Sequence, residues 1–168
     1  IFIGVFFFPN RGSAQTNTIS KIAFGSCSNQ NHPLPIFDVV VKHEPNLFVF
    51  LGDNIYADSW SMATIKRKYQ QLADKPTFQN LKAHVPLIAT WDDHDFGGNN
   101  YDGTFAKKEM TKNLFNIFWG NNPQEGTLIK GPGVAQIFKA FGQRFFMMDS
   151  RYYRSARDAS NPVHWGKL

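Results

Sequence analysis

Cysteine is nearly absent. Cys27 is the only one in 168 residues, so the chain cannot close an internal disulfide. Its thiol is either a buried apolar group or a reactive or metal-bound one. Acidic residues are also scarce, 13 Asp and Glu against 18 Lys and Arg, for a formal net charge of +5. That modest basicity suits anionic substrates or surfaces. No apolar run approaches the roughly 20 residues of a membrane span. The basic residues form no long run, so there is no nucleic-acid-binding motif. The densest cluster, Lys66-Arg67-Lys68, falls on an expected helix, where a solvated face explains it. Repeats, low-complexity tracts and linkers are missing too, which leaves one domain as the simplest organisation. Hydrophobic residues make up 42% and aromatics 15%, a globular composition rather than a disordered one.

The chain starts with an apolar stretch, Ile1 to Phe8, followed by Pro9-Asn10-Arg11-Gly12-Ser13-Ala14-Gln15. Small residues at Gly12 and Ala14 after a short apolar core form a secretory signal pattern. Residues 1–14 are expected to be a signal remnant, residues 19–168 the folded domain, and the protein secreted or periplasmic. The alternative for Ile1 to Phe8 is a buried N-terminal strand. Without an initiator Met or a basic leading segment, the sequence looks clipped at its start.

An α/β pattern follows. A strand over Ile19 to Phe24 breaks at Gly25-Ser26-Cys27-Ser28-Asn29. A helix spans Leu34 to His43, with Ile36, Phe37, Val40 and Val41 on one face, and ends at Glu44-Pro45-Asn46. The near-continuous apolar run Leu47 to Leu51 suits a parallel strand covered on both faces, which completes a βαβ unit. Ser61 is placed to cap a helix over Met62 to Leu72, and Thr77 to His84 reads as a second, shorter helix. Val85 to Trp91 is a third strand. Phe105 to Trp119 is a helix with a stripe of Met110, Leu114, Ile117 and Phe118. Gly120 to Gly133 is turn-rich. Val134 to Phe141 and Arg144 to Met148 are two strands joined near Gly142.

Side chains that bind cations gather at the strand ends. Between Asp92 and Asn100 stand three carboxylates, one imidazole and two amides. Crowded carboxylates raise one another's pKa unless a cation neutralises them, although a solvated acidic loop is the plainer reading of this stretch alone. The strand before it ends in Leu51-Gly52-Asp53-Asn54-Ile55-Tyr56, and the first strand ends at Cys27. Two buried strands that deliver ligands from their C-terminal ends describe an α/β active site. Oxygen, phenolate and thiolate donors together favour a hard trivalent ion such as iron, beside a hard divalent ion such as calcium. Asp53 has two oxygens with which to bridge them, while Asp92 could instead bind backbone amides in its loop. Two cations can bind and polarise a phosphate ester and activate a water.

Phe24-Gly25-Ser26-Cys27-Ser28, Leu51-Gly52-Asp53-Asn54-Ile55-Tyr56 and Thr90-Trp91-Asp92-Asp93-His94-Asp95, followed by Asn99, resemble the PhoD-like (alkaline phosphatase D) metallophosphatases. Asp149-Ser150-Arg151 resembles a later strand end of that family, and the likeness runs from about residue 20 to residue 155. It implies a calcineurin-like metallophosphoesterase fold, a layered β-sandwich flanked by helices. It also implies secretion, an Fe(III) and Ca(II) site with Zn or Mn as substitutes, and hydrolysis of phosphate mono- and diesters. Carried over by position, Cys27, Asp53 and Tyr56 would ligate iron, and Asp53 and Asn99 would face the second metal. Asp93 would join the metal and catalytic set. His94 would orient substrate or protonate the leaving group, and Arg151 would contact phosphate.

The family's remaining ligands, a Gly-Asp-x-His-type motif and a further His, have no match after Arg154. The expectation is therefore an incomplete metal shell, half a sandwich, and a fragment that is itself inactive. A metal-dependent phosphoesterase leads the readings. A non-catalytic ion- or surface-binding module is the alternative from another class, and a nuclease or phospholipase on the same scaffold is a third. Substrate and oligomeric state stay open.

Overall fold

A computed structural model describes residues 4–8, 20–120 and 132–165. Its elements are β1 (Gly4–Phe8), β2 (Ser20–Gly25), α1 (Ile36–Lys42), β3 (Leu47–Phe50), α2 (Met62–Ala73), α3 (Pro76–His84), β4 (Leu87–Ala89), α4 (Asp93–Phe96), α5 (Lys108–Trp119), β5 (Gln136–Ala140) and β6 (Gln143–Met147). One sheet has four strands in the order β1-β2-β3-β4, and the other is the β5-β6 hairpin. β2, β3 and β4 run parallel, with Phe24 opposite Val49 and Val49 opposite Ile88. β1 runs antiparallel to β2, Gly4 opposite Phe24, so part of the apolar N-terminal stretch lies in the sheet.

The side-chain alternation of β3 sorts the layers. Phe48 and Phe50 point to the helices, into a core shared with Phe37 of α1, Ile65, Tyr69 and Leu72 of α2, Phe78 and Leu81 of α3 and Phe115 of α5. Leu47 and Val49 point the other way, with Ile22, and meet Met147, Phe138 and Phe145 of the hairpin. The molecule is thus layered helix, sheet, hairpin, which explains why β3 is apolar at every position. Phe37 packs edge-on against Phe48 and Phe50 at centroid distances of 6.4 and 5.8 Å. Phe50 also lies 4.7 Å from Trp119. Each such pair contributes about 0.5–1.5 kcal/mol beyond area burial, and together they make a stiff platform under the strand ends.

Local chemistry accounts for most boundaries. Ser61 caps α2, accepting from the Thr64 amide at 3.4 Å, and Pro76 opens α3 where its missing N–H costs nothing. At the hairpin turn Phe141 and Gly142 both take positive φ, 53° and 72°, which two-residue hairpin loops require.

Three expectations need correction. The third strand is much shorter than Val85 to Trp91: only Leu87–Ala89 pairs with β3. Pro86 has no N–H for the ladder; at the two ends of the pairing its carbonyl accepts from the Phe48 amide and the Thr90 amide donates to the Phe50 carbonyl, both at 2.9 Å, while the Thr90 hydroxyl donates to the Met148 carbonyl (2.9 Å). The α5 stripe is rotated. Met110 and Ile117 are 52% and 79% exposed, while Thr111 and Phe115 are buried and Leu114, Phe118 and Trp119 lie against the core. The turn α4 was not anticipated, because four residues carry no periodicity. Most of the expected turn-rich stretch, 121–131, lies outside the described residues, as do residues 1–3 and 9–14 of the expected signal remnant. Among the described residues no helix is long and apolar enough to cross a membrane. The fold is mixed α/β with a hairpin on a small sheet; a full sandwich is not present in the described residues.

Candidate metal and phosphate site

Three loops leave the C-terminal ends of β2, β3 and β4, and hydrogen bonds stitch them together. The amides of Cys27 and Ser28 donate to the carbonyls of Gly52 (3.1 Å) and Asp53 (2.9 Å), and the Ser28 hydroxyl to that of Asn54 (3.0 Å). The Asn54 side chain, fully buried, donates to the Thr90 carbonyl at 2.8 Å. Asp95 joins the second loop to the third: its buried carboxylate accepts from the amides of Asn54 (3.0 Å), Ile55 (3.1 Å) and Asp92 (3.1 Å). Burial holds the Asp95 pKa well above the usual carboxylate value, with these amides opposing it.

Gly52 permits the closest approach. Its φ is +111°, and an added Cβ would stand 2.7 Å from Asp92 Cβ and 2.8 Å from the Asp92 amide nitrogen. Four non-glycine residues around the site also have left-handed backbone: Cys27 (60°), Asp53 (52°), Asp58 (44°) and Asn100 (62°). Such conformations cost free energy and persist where surroundings over-determine them; here the stitching does so.

The loops bring donors together. Asp53, Asp93 and His94 each offer one ligand atom, all within 4.8 Å of one another, a group that could hold a metal ion. Asp53 Oδ1 is buried and accepts no hydrogen bond among the described residues. Its Oδ2 faces the Cys27 thiol at 3.7 Å. Burial, followed by the carboxylates of Asp92 and Asp93, pushes the Asp53 pKa from 3.8 up to about 6, with His94 opposing. A buried, orphaned oxygen on a crowded carboxylate fits a cation, which would satisfy the oxygen and offset the repulsion.

Cys27 is exposed, so the buried-thiol reading falls. Tyr56 joins it: burial, then a hydrogen bond to Cys27 and nearby negative charge, keep the phenol pKa well above its usual value. The Tyr56 ring also leans over the His94 imidazole, centroids 4.2 Å apart.

Asp93 is 7% exposed. Burial works against its charge, but the Asn100 amide (2.5 Å), the Arg151 guanidinium and His94 outweigh it and hold its pKa below the usual value. Arg151 is 8% exposed. Its Nε donates to Asp92, one terminal nitrogen lies 3.7 Å from Asp93, and the other donates to the Tyr101 carbonyl at 3.3 Å. Asp149 holds the Arg151 backbone in turn, accepting from the amides of Arg151 (2.8 Å), Tyr152 (2.9 Å) and Val134 (2.8 Å). The expected role of Arg151 as a phosphate contact is thus joined by a visible one, clamping two carboxylates. Asp92 and Asp95 form a capping box at the start of α4, so the amide-binding role expected of Asp92 is shared with Asp95, and Asp92 also receives Arg151 and the Ser150 hydroxyl (3.2 Å).

Asn99 is exposed. Its amide donates to Asp58 at 3.0 Å and its side-chain oxygen accepts from Asn100 at 3.2 Å. Asp58 is the residue that sequence reasoning missed: its Oδ1 lies 2.6 Å from His94 Nδ1. A lone Asp after Tyr56-Ala57 carries no motif. The signal that could have found it was its position, two residues past a candidate ligand and before a helix cap.

The chain has counterparts among known proteins. The family model of PhoD-like phosphatases matches residues 22–166. The solved structure of PhoD is similar in fold, with a TM-score of 0.62 and 18% identity, over 84% of this chain and 36% of that one. At that identity the likeness shows the fold alone, and this chain spans little more than a third of the PhoD chain's length. No curated protein matches. The match over residues 22–166 covers most of the 168-residue chain, and the protein belongs to the PhoD-like phosphatase family.

Proposed function

We propose that this chain supplies the strand-end half of a secreted, metal-dependent phosphoesterase centre that hydrolyses phosphate mono- or diesters. The observation that carries the proposal is the orphaned Oδ1 of Asp53, within a group of donors no more than 4.8 Å apart. Asp53 and Asp93 would hold the cation, with Cys27, Tyr56 and Asn99 as further donors. The thiol and phenol favour Fe(III) beside Asp53, and the amide and carboxylate oxygens favour Ca(II), with Zn or Mn as substitutes. A bound cation of this kind supplies Lewis acidity at the phosphoryl oxygens and lowers the pKa of an attacking water.

The chain's own residues do the rest. Asp58 accepts from Nδ1 of His94, which fixes the tautomer and leaves Nε2 for the ester. With His94 in its imidazolium form, Nε2 gives its proton to the departing oxygen as a water oxygen bonds to phosphorus and the ester P–O bond breaks, the water's own proton passing to solvent. Arg151 holds Asp92 and Asp93 in place and favours the charged form of Asp93.

Hydrolysis of an aryl phosphate by the full-length protein and its Asp53→Asn variant tests this. A loss of at least about 100-fold is expected, the scale of losing a ligand or a key electrostatic group. Unchanged turnover would sink the assignment.

A further inference from the structure

Beside the donors lies a pocket of about 180 Å³ that none of the roles above uses, lined by Trp60, Asn100, Tyr101, Asp102, Thr104 and Phe105. We propose that it is a subsite for a flat aromatic ring on the organic part of the phosphate ester, an aryl group or a nucleobase. The inference rests on the phosphoesterase reading and narrows it.

Three rings line it: Trp60 lies edge to face with Tyr101 (5.8 Å) and Phe105 (5.1 Å), and Tyr101 lies tilted against Phe105 at 5.1 Å. Trp60 remains 54% exposed, so much of its ring surface is open to a ligand. The pocket is larger than the roughly 150 Å³ cavity known to accept a benzene.

The pocket is joined to the site through the backbone. Asn100 lines it while its backbone amide holds Asp93 at 2.5 Å. On the other wall, Trp60 is two residues after Asp58, whose carboxylate holds His94. The wall is also pinned. The Ser59 amide donates to the Gly97 carbonyl at 2.9 Å, and Lys107 Nζ to the Trp60 carbonyl at 2.7 Å. Gly97 lets the rings sit against the end of α4, since a Cβ there would meet Phe105 at 2.7 Å and Tyr101 at 2.8 Å. A ring tethered to a phosphate at Asp53 and Asp93 would find this aromatic surface next to it.

The test compares phenylphosphonate with methylphosphonate, which share a headgroup, differ in the ring and are not turned over. Their binding to the metal-loaded full-length protein is measured by calorimetry. Phenylphosphonate should bind about tenfold tighter, the scale of one ring stacked on an aromatic side chain. Trp60→Ala should reduce that ratio to near one, and Trp60→Phe should restore most of it. Equal affinities in the wild type, or a ratio that Trp60→Ala leaves intact, would overturn the subsite. Ring preference without hydrolysis of any phosphate ester would uphold the subsite and refute the catalytic reading. Binding of neither phosphonate would refute both.

Discussion

Replacing Gly52 by Ala tests whether the site is held by close contact between the loops after β3 and β4. Two costs add. An L-residue at φ +111° is strained, by about 1–2 kcal/mol. The new Cβ would also stand 2.7 Å from Asp92 Cβ and 2.8 Å from the Asp92 amide nitrogen. The second of these is backbone, stitched to Asp95, so it cannot swing aside as a flexible side chain would, and overpacking of this kind costs about 1–3 kcal/mol. The sum is about 2–5 kcal/mol. Gly120→Ala isolates the first cost. Gly120 also has positive φ, +62°, but a Cβ there meets nothing within 4 Å, so about 1 kcal/mol is expected. Urea denaturation of both variants at constant m-value gives the comparison. Gly52→Ala should be the more destabilised by at least about 1 kcal/mol and should lose metal, because Asp53 moves with it. Equal destabilisation would show that the contact with Asp92 is not what fixes the site.

Other outcomes follow from the same geometry. Arg151→Met should destabilise the metal-free protein by about 2–3 kcal/mol, as for a buried charge-assisted hydrogen bond lost from a half-exposed partner. A double-mutant cycle with Asp92→Asn should give at least about 1 kcal/mol of coupling; additivity would break the clamp. Asp58→Leu should lower kcat by roughly 10–100-fold, with Asp58→Asn milder because its amide oxygen still accepts from Nδ1; equal losses would show that holding the imidazole is not the role. Acid should weaken metal binding. With its pKa raised from 3.8 to about 6, Asp53 keeps a proton that the metal must displace, so affinity should fall about tenfold per pH unit below about 6. By the same shift, the metal-free fold is favoured below about 4 and loses that contribution as pH rises to about 6. Flat affinity from pH 7 to 5 would contradict it.

The sheet was legible because its chemistry is local and repetitive. A short apolar run such as Leu47–Phe50, bounded by turn signals, suits a strand covered on both faces, and Ser61 and Pro76 mark helix starts by their own hydrogen-bonding needs. The family segments likewise sit at strand ends, so the meeting of Asp53 with Asp93 and His94 could be expected from order along the chain. What was not legible depended on partners distant in sequence. Which face of α5 is buried was decided by Phe50 and Trp91, which touch Trp119 and Phe115, not by the run of apolar residues that includes Met110 and Ile117. Four-residue α4 has no period to detect. Asp58, a lone acid, and Asp95, one of three crowded acids, carry no sign of their roles in sequence, yet one orients an imidazole at the site edge and the other is a buried staple. Only the fold distinguishes them.

The most direct measurement is metal content by mass spectrometry on the full-length protein and its Asp53→Asn variant, both purified without a metal-affinity tag. The account predicts stoichiometric bound metal, iron with calcium, in the first and loss of at least one ion in the second. Equal metal in both, or none in either, would contradict the claim that the strand-end carboxylates form a metal centre.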